Sequence, residues 1–314
     1  MKNLKRILKI GIFILILSTI ISQLNTIFIR KSLEKPWDMG NKIAGYFNEK
    51  EKYDLMFFGT SHAYCSFYPE ILKKHGINSY VLASQKQPIQ ASYYYIKKAL
   101  KISEPKKIYF DICDLITKNQ LDDGTIHSYT DYFPLSFDKL AMIKNSLPKD
   151  KWAENIFPLF KYHSRWEEIA EEDLKFKWKD FHDDLKGYVM LQGQSKNFMK
   201  NPKVSLDNMK IIEAAKDKTF KEENYIWAKK IYDLCKKNKL ALYFIKTPLF
   251  NFEPYKENID AAFSYIEDFG GNVIDLSKDK EKIGLTKEDF YDPSHLNRDG
   301  AEKFTQYFYE NYLK

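Results

Sequence analysis

The first clear pattern in the chain is a long apolar segment that follows a basic N-terminus. Four basic residues lie within positions 2–9, residues 10–29 are mostly aliphatic, and Arg30 and Lys31 follow. About 20 helical residues are enough to cross the ~30 Å core of a bilayer. No small-x-small cleavage site follows the run, which favours a retained anchor over the two alternatives, a cleaved signal peptide and a buried core helix. The positive-inside rule places the N-terminus in the cytoplasm and the remainder of the chain outside.

Beyond the anchor, short apolar runs alternate with segments of helical periodicity. Runs at 53–58, 78–83, 107–113, 240–245 and 272–276 predict strands, and helices are predicted at 90–101, 221–238 and 259–269, with a last helix capped by Asn297. This alternation is typical of a parallel, doubly wound sheet. We therefore expect an α/β fold, a flavodoxin-like three-layer sandwich with a five-stranded parallel sheet, whose site lies beyond the carboxyl ends of the strands.

The same pattern suggests how the chain is divided. Residues 1–31 form the tail and anchor, 32–52 a linker with a short amphipathic helix, and 53–314 the main domain. The stretch at about 114–220 has weak strand signals and many aromatic residues, so we expect a mostly helical insertion between the third and fourth strands. Such an insertion can form a lid or a substrate wall, although plain packing also explains its aromatic residues.

Composition excludes several kinds of chemistry. The 12 glycines include no G-x-G-x-x-G or P-loop spacing, which argues against dinucleotide and P-loop nucleotide binding. The three cysteines lack metal spacing and the six histidines form no H-x-x-x-H pair, so we expect no metal and no cofactor. The net charge of +7 has two interpretations: solvent-exposed, lysine-rich helix faces, or a positive surface that attracts an anionic envelope polymer. The sequence contains no nucleic-acid-binding motif.

Two short segments carry the residues of a nucleophilic site. Gly59, Thr60 and Ser61 directly follow the first predicted strand, where a sharp turn presents a serine at the sheet edge. Near the C-terminus, Asp292 precedes His295 by three residues, so that its carboxylate can reach Nδ1 while Nε2 points to a serine. Since free serine is a poor nucleophile, such an imidazole base activates it.

The order serine, aspartate, histidine also occurs in α/β-hydrolases, but two features count against that family. Ser61 follows the first strand, and Asp292 and His295 share one loop. Instead, G-T-S-H at 59–62 together with D-x-x-H-L-N-x-x-G at 292–300 resembles the SGNH/GDSL hydrolase superfamily, in particular its membrane-anchored DltD-like and polysaccharide O-acylation members. The resemblance covers about residues 50–314 and implies that Ser61 is the nucleophile, His295 the base and Asp292 its orienting partner.

Two blocks of that family differ in this chain. The second block usually supplies a glycine N–H to the oxyanion hole, whereas residues 82–88 contain no glycine; the N–H groups of Ser61, Ser84, Gln85 and Lys86 are the candidates here. The asparagine of the third block is also missing, and residues 108–115 offer Asp111 and Asp114 instead. Losing one oxyanion donor can cost about 3 kcal/mol in the transition state.

A further set of residues could contact substrate. His62 adjoins the serine, Lys246 ends the fourth strand, and the insertion brings together an imidazole, a cation and an aromatic face in His163, Arg165 and Trp166. Arginine can hold a carboxylate or phosphate, and tryptophan can stack on a sugar. Each candidate also has a structural interpretation. His62 can serve local packing, Lys246 can mark the end of a strand, and the three insertion residues can form a structural ion-pair cluster.

The resemblance implies acyl transfer to, or ester hydrolysis on, a cell-envelope polysaccharide or teichoic-acid-like polymer, with O-acetyl or D-alanyl groups as cargo. A membrane-bound O-acyltransferase is the expected partner. Two alternatives remain open from the sequence. One is a non-catalytic scaffold that binds polymer or the acyltransferase, and the other is a secreted lipase or esterase.

Overall fold

A parallel five-stranded sheet forms the centre of the domain. The computed structural model describes residues 2–31, 38–118, 122–200 and 208–314. The sheet has the spatial order β2-β1-β3-β4-β5, and every neighbouring pair is parallel. The strands are β1 Leu55–Phe58, β2 Ser79–Val81, β3 Lys107–Asp111, β4 Ala241–Lys246 and β5 Asn272–Asp275. The prediction of an α/β fold with a parallel five-stranded sheet is therefore confirmed.

Helices connect the strands and account for most of the remaining chain. Their bounds are α1 Lys2–Phe28, α2 Met39–Glu49, α3 Ser61–Ser66, α4 Pro69–Lys74, α5 Ile89–Ile102, α6 Cys113–Ile116, α7 Asp123–Thr130, α8 Phe137–Ser146, α9 Trp152–Ile156, α10 Pro158–Tyr162, α11 Glu171–Lys175, α12 Lys196–Lys200, α13 Asn208–Lys216, α14 Lys218–Lys237, α15 Lys256–Asp268, α16 Lys280–Ile283 and α17 Arg298–Phe308.

Aromatic side chains fill the core around the central strands. All four residues of β1 are buried, as expected for a strand covered on both faces. Phe57 of β1 stacks on Phe67 with ring centroids 3.9 Å apart and lies 5.6 Å from Tyr109 of β3. Phe304 and Phe308 of α17 pack against Phe67 from the other side. This packing fixes α17, and the loop before it, against the end of β1.

Glycine is required where α17 begins. A Cβ atom on Gly300 would lie 2.1 Å from the carbonyl oxygen of Asp289. The Asn297 side chain accepts a hydrogen bond from the Gly300 N–H at 3.1 Å and donates to the carbonyl of Glu288 at 2.6 Å. The cap and the glycine together hold the start of the helix close to the preceding loop.

The N-terminal helix α1 is the membrane-anchor candidate. Within it, Asn3–Phe28 is long and apolar enough to cross a membrane, and its most apolar window is not buried in the protein. Its C-terminal end packs against α10 and α11. Asn25 accepts a hydrogen bond from the Leu159 N–H at 2.9 Å, and Ile29 is buried. Helix α1 therefore joins the domain through direct contacts at its C-terminal end.

The region predicted as a linker contains a helix that packs on the domain. Helix α2 buries Ile43 and Tyr46, and the Tyr46 ring lies 5.0 Å from that of Tyr80 in β2. Residues 32–37 of this region lie outside the described residues. In the region predicted as an insertion, 114–220, the regular elements of the described residues are all helical.

Candidate active site

The turn after β1 brings Ser61 to the edge of the sheet. Gly59 has a φ of 139°, and a Cβ atom there would lie 3.1 Å from both Cβ and the carbonyl oxygen of Asp111 at the end of β3. Such a backbone conformation, this close to a neighbouring strand, suits glycine alone. Thr60 then caps α3 by accepting a hydrogen bond from the His62 N–H, and Ser61 is the first residue of that helix.

The loop before α17 places Asp292 and His295 side by side. The Tyr291 N–H donates to the His295 carbonyl at 2.9 Å, so the chain folds back on itself. Two outside segments also hold this loop, because Phe250 N–H donates to the Pro293 carbonyl and Ser195 N–H to the Tyr291 carbonyl. The position of the loop is thus fixed by the segment that follows β4, the insertion and α17 together.

Ser61, His295 and Asp292 form a continuous hydrogen-bonded chain. His295 Nε2 lies 2.7 Å from Ser61 Oγ, and His295 Nδ1 lies 2.9 Å from Asp292 Oδ2. Asp292 Oδ1 also accepts from the backbone N–H groups of Ser294 and His295, at 2.8 and 2.9 Å. These contacts are those required of a nucleophile, a base and an orienting carboxylate.

The electrostatics of the site keep Asp292 ionised. Burial raises the pKa of Asp292, but the charge and hydrogen bonds of His295, together with the two backbone N–H groups, outweigh burial and hold that pKa below its usual value. The carboxylate can therefore fix the imidazole tautomer that keeps Nε2 free to accept the serine proton.

His62 contributes a second, uncharged imidazole next to the base. Its ring centroid lies 4.9 Å from that of His295. Burial, with smaller effects from Lys246 and His295, lowers the pKa of His62 well below its usual value. A neutral His62 does not oppose the positive charge that His295 takes up when it accepts a proton.

A cavity of about 130 Å³ opens beside Ser61 and His295. Its wall contains His62, which the sequence analysis named as a candidate for substrate contact, and Gln85 and Lys86, which it named as oxyanion-hole candidates. Lys86 has a φ of 48°, in a turn closed by a hydrogen bond from Gln87 N–H to the Ser84 carbonyl at 3.4 Å. A lysine thus occupies a left-handed position of the kind that glycine usually fills.

The sequence analysis named Ser84 and Lys246 as candidate site residues. Neither lines this cavity. Ser84 is fully buried, and its hydroxyl makes no hydrogen bond among the described residues. Lys246 is also fully buried, with Nζ 3.4 Å from Asp111 Oδ2. Asp111 further accepts from Thr247 Oγ1 at 3.0 Å and from Cys113 N–H at 2.9 Å, so its carboxylate ties the ends of β3 and β4 together.

None of the three insertion candidates lines the cavity at Ser61, and Arg165 contacts the end of α1 instead. The Arg165 guanidinium donates to the Phe28 carbonyl at the end of α1 and pairs with Asp173 at 3.5 Å. His163 is exposed, with Nδ1 2.8 Å from the Phe160 carbonyl, and Trp166 is 66% exposed. This end of the insertion turns back to the N-terminal helix, which the sequence alone did not indicate.

Several residues of the cavity wall were not predicted. They are Thr60, Tyr64, Cys113, Thr117 and Lys210. Thr60 and Tyr64 lie near Ser61 in the chain, and Cys113 follows the end of β3. These three residues were predictable, because sites in parallel sheets lie beyond the carboxyl ends of the strands. Lys210 belongs to α13 in the insertion, and no local pattern marks it.

One group of side chains has the composition of a metal site. The ligand atoms of His62, Asp111 and Cys113 lie within 4.8 Å of one another. The Lys246 ammonium and Thr247 already engage Asp111, and burial raises the pKa of the Cys113 thiol to about 12. Because the buried Lys246 ammonium already neutralises Asp111, this group lacks the negative charge that a divalent cation needs.

A second, larger cavity of about 910 Å³ lies on the other side of the Asp292 loop. It shares Tyr291 with that loop, includes none of the three residues of the hydrogen-bonded chain, and is lined mainly by α2 and residues 176–192. The smaller cavity is the candidate active site because Ser61 and His295 open into it. Comparison with known proteins adds no family assignment: no protein-family model matches the chain, and no curated protein matches its sequence.

Proposed function

We propose that the protein is a membrane-anchored serine acyltransferase or esterase of the SGNH type, acting outside the cytoplasm on a cell-envelope polymer. The observation that carries this proposal is the chain of hydrogen bonds from Ser61 through His295 to Asp292, at 2.7 and 2.9 Å. The strand order 2-1-3-4-5 is that of flavodoxin-like sandwiches and supports the same fold here.

The first half of the reaction forms an acyl-enzyme. Ser61 Oγ attacks the carbonyl carbon of the donor ester while its proton moves to His295 Nε2. Asp292 stabilises the resulting imidazolium through Nδ1. The tetrahedral intermediate then collapses, the bond to the leaving oxygen breaks, and His295 returns the proton to that oxygen. The acyl group is now an ester of Ser61.

The second half repeats these steps with an acceptor hydroxyl or water. The acceptor loses its proton to His295 and attacks the carbonyl carbon of the Ser61 ester; the tetrahedral intermediate then collapses, the bond from the acyl carbon to Ser61 Oγ breaks, and His295 returns the proton to Ser61 Oγ. In both halves the oxyanion needs hydrogen-bond donors. The N–H of Ser61, in the first turn of α3, and the backbone of Gln85 and Lys86 on the cavity wall supply the candidates.

The size and charge of the cavity support the proposed substrate class. A volume of about 130 Å³ is well below the roughly 300–1,000 Å³ of sites for drug-sized ligands, and it suits a short acyl group such as acetyl or D-alanyl. Lys86 and Lys210 both lie on its wall. The Lys86 ammonium pairs with Asp122 at 3.5 Å, and basic side chains on this wall are compatible with an anionic acceptor polymer, such as a teichoic-acid-like chain or an acidic polysaccharide.

The anchor supports the proposed location. A helix that can cross the membrane, preceded by basic residues, would leave the domain outside and next to any membrane-bound O-acyltransferase that supplies the donor. A reporter enzyme fused after Lys314 tests this topology, since it should be active only outside the cytoplasm. Release of the domain into the medium would instead indicate a cleaved signal.

The experiment for the function measures polymer acylation in cells that depend on this protein. Cells with Ser61→Ala should lose the acyl modification, whereas Ser66→Ala, which changes another serine of α3, should retain it. Both variants must be present in the membrane at the wild-type level. Full modification by Ser61→Ala would contradict the proposal and favour a scaffold that binds polymer or the acyltransferase without catalysis.

A further inference from the structure

A cavity of about 350 Å³ lies between the end of the anchor helix and the insertion, away from the Ser61 site. One wall is the polar side of α1, and the opposite wall comes from α8, α9, α10 and the segment before α8. The polar residues of the first wall are Ser18, Ser22, Asn25 and Thr26. These residues, which weaken the apolar pattern of α1, thus face a cavity and not lipid alone.

A buried lysine lines this cavity. Lys139 of α8 is 3% exposed, and its ammonium makes no hydrogen bond or ion pair with any residue that the structure describes. Asp131 also lines the cavity, but its carboxylate is already engaged, since it accepts hydrogen bonds from Tyr162 at 2.6 Å and Thr130 at 3.1 Å and pairs with His127. A buried cation without a direct partner is costly, and an anion in the cavity would offset that cost.

The rim of the cavity is apolar and exposed. Leu135 and Phe157 line it and are 68% and 41% exposed, and the neighbouring Phe137 and Phe160 are 90% and 61% exposed. This rim lies beside the C-terminal half of α1, because α10 packs directly against α1. Exposed phenylalanines beside an anchor helix are typical of side chains that enter the interfacial region of a bilayer.

We propose that this cavity binds the headgroup phosphate of an anionic membrane phospholipid, with Lys139 as the hydrogen-bond donor and the rim in contact with the acyl chains. A lipid is favoured over a water-soluble anion because the charged group and the apolar rim line one cavity against α1, the helix that is apolar enough to cross a membrane. The bound lipid would fix the insertion on the bilayer. This inference is independent of the proposed chemistry at Ser61.

The test is lipid retention by the full-length protein in detergent, measured by native mass spectrometry with added phosphatidylglycerol or phosphatidylcholine. Wild type should retain phosphatidylglycerol preferentially, since the fixed cation of choline opposes Lys139. Lys139→Met should weaken phosphatidylglycerol binding about tenfold or more, as expected for loss of a charge-assisted hydrogen bond. Lys139→Arg, which keeps the charge, should retain most of the binding.

The matched control is Lys144→Met, which removes an exposed lysine from the same helix and should leave binding unchanged. Should Lys139→Met fail to fold, Ser22→Trp blocks the cavity from the anchor side without altering the domain, and it should reduce binding to a similar extent. Equal retention of both lipids by wild type, or equal losses in Lys139→Met and Lys144→Met, would overturn the proposal. Inorganic phosphate that displaces phosphatidylglycerol at equal concentration would overturn the assignment to a lipid.

Discussion

Ser61 and His295 lie 234 residues apart in the chain, yet Oγ and Nε2 are 2.7 Å from each other. The contact depends on two independent turns at the same edge of the sheet, one after β1 and one before α17. Asp292 completes the arrangement from the second turn, where backbone N–H groups hold its carboxylate in place.

Replacing Asp292 with asparagine should slow acylation strongly while the fold persists. The imidazole would lose the charge that stabilises its protonated form, and the amide can favour the wrong tautomer; in serine proteases this costs about 10⁴-fold. The measurement is the rate of release of a chromogenic short-chain ester. Asp299→Asn, an exposed position in α17, is the matched control and should react at the wild-type rate. Equal rates for the two variants would argue against an orienting role for Asp292.

Gly59→Ala should destabilise the protein and disrupt the serine turn. The alanine Cβ would lie 3.1 Å from Asp111, at a φ of 139° that side chains rarely adopt. We expect a loss of about 2–5 kcal/mol in the free energy of unfolding, from backbone strain and crowding together. Gly76→Ala shares a positive φ of 77° but has no atom within 4 Å, so it should cost only about 1–2 kcal/mol. Equal costs in urea unfolding would show that crowding by β3 is unimportant.

Breaking the buried pair between Lys246 and Asp111 should also destabilise the domain. Lys246→Met leaves a fully buried carboxylate without its cation, which typically costs about 3–5 kcal/mol. The double variant Lys246→Met with Asp111→Asn should recover part of that loss because no charge remains buried. Strictly additive losses in the two single variants and the double variant would mean that the pair is not coupled.

Lys139→Met should stabilise the lipid-free protein in detergent at pH 7. Burial lowers the pKa of Lys139 from 10.5 to about 8, and although Asp131 raises it, the net shift is downward. Below pH 8 the folded wild type therefore carries a buried charge, which destabilises it relative to the unfolded state. This destabilisation disappears as the pH rises from about 8, where the folded state loses the proton, to 10.5, where the unfolded state loses it too.

The gain from Lys139→Met should accordingly be about 1–3 kcal/mol at pH 7 and shrink towards pH 10. Thermal unfolding at both pH values measures it, with Lys144→Met as control. A variant less stable than wild type at pH 7 would mean that the Lys139 ammonium is well compensated in the lipid-free protein.

The sequence allowed much of this arrangement to be predicted, for local reasons. The strands are compact apolar runs, and all five start and end within about two residues of their predicted bounds. The three residues of the hydrogen-bonded chain were predictable because parallel strands present their carboxyl ends at one edge. The helix in the expected linker was anticipated, but its packing against Tyr80 was not.

The long-range packing of the insertion could not be read from local patterns. Arg165 was a reasonable candidate for substrate contact, yet it binds the end of α1, while Lys210, which has no motif around it, lines the cavity at Ser61. Both placements depend on how a long helical segment folds back on two distant parts of the chain, and neither periodicity nor residue spacing encodes that path.

The most direct test of Ser61 as the nucleophile is covalent labelling of the full-length protein by a serine-directed fluorophosphonate, with the labelled residue located by peptide mass spectrometry. Wild type and Ser66→Ala should each gain one phosphonyl group on Ser61. Ser61→Ala and His295→Ala should gain none, with melting temperatures close to wild type because each side chain lies at the cavity and not in the core. Labelling that persists at the wild-type rate in Ser61→Ala, or that maps to another residue, would contradict the assignment of Ser61 as the nucleophile.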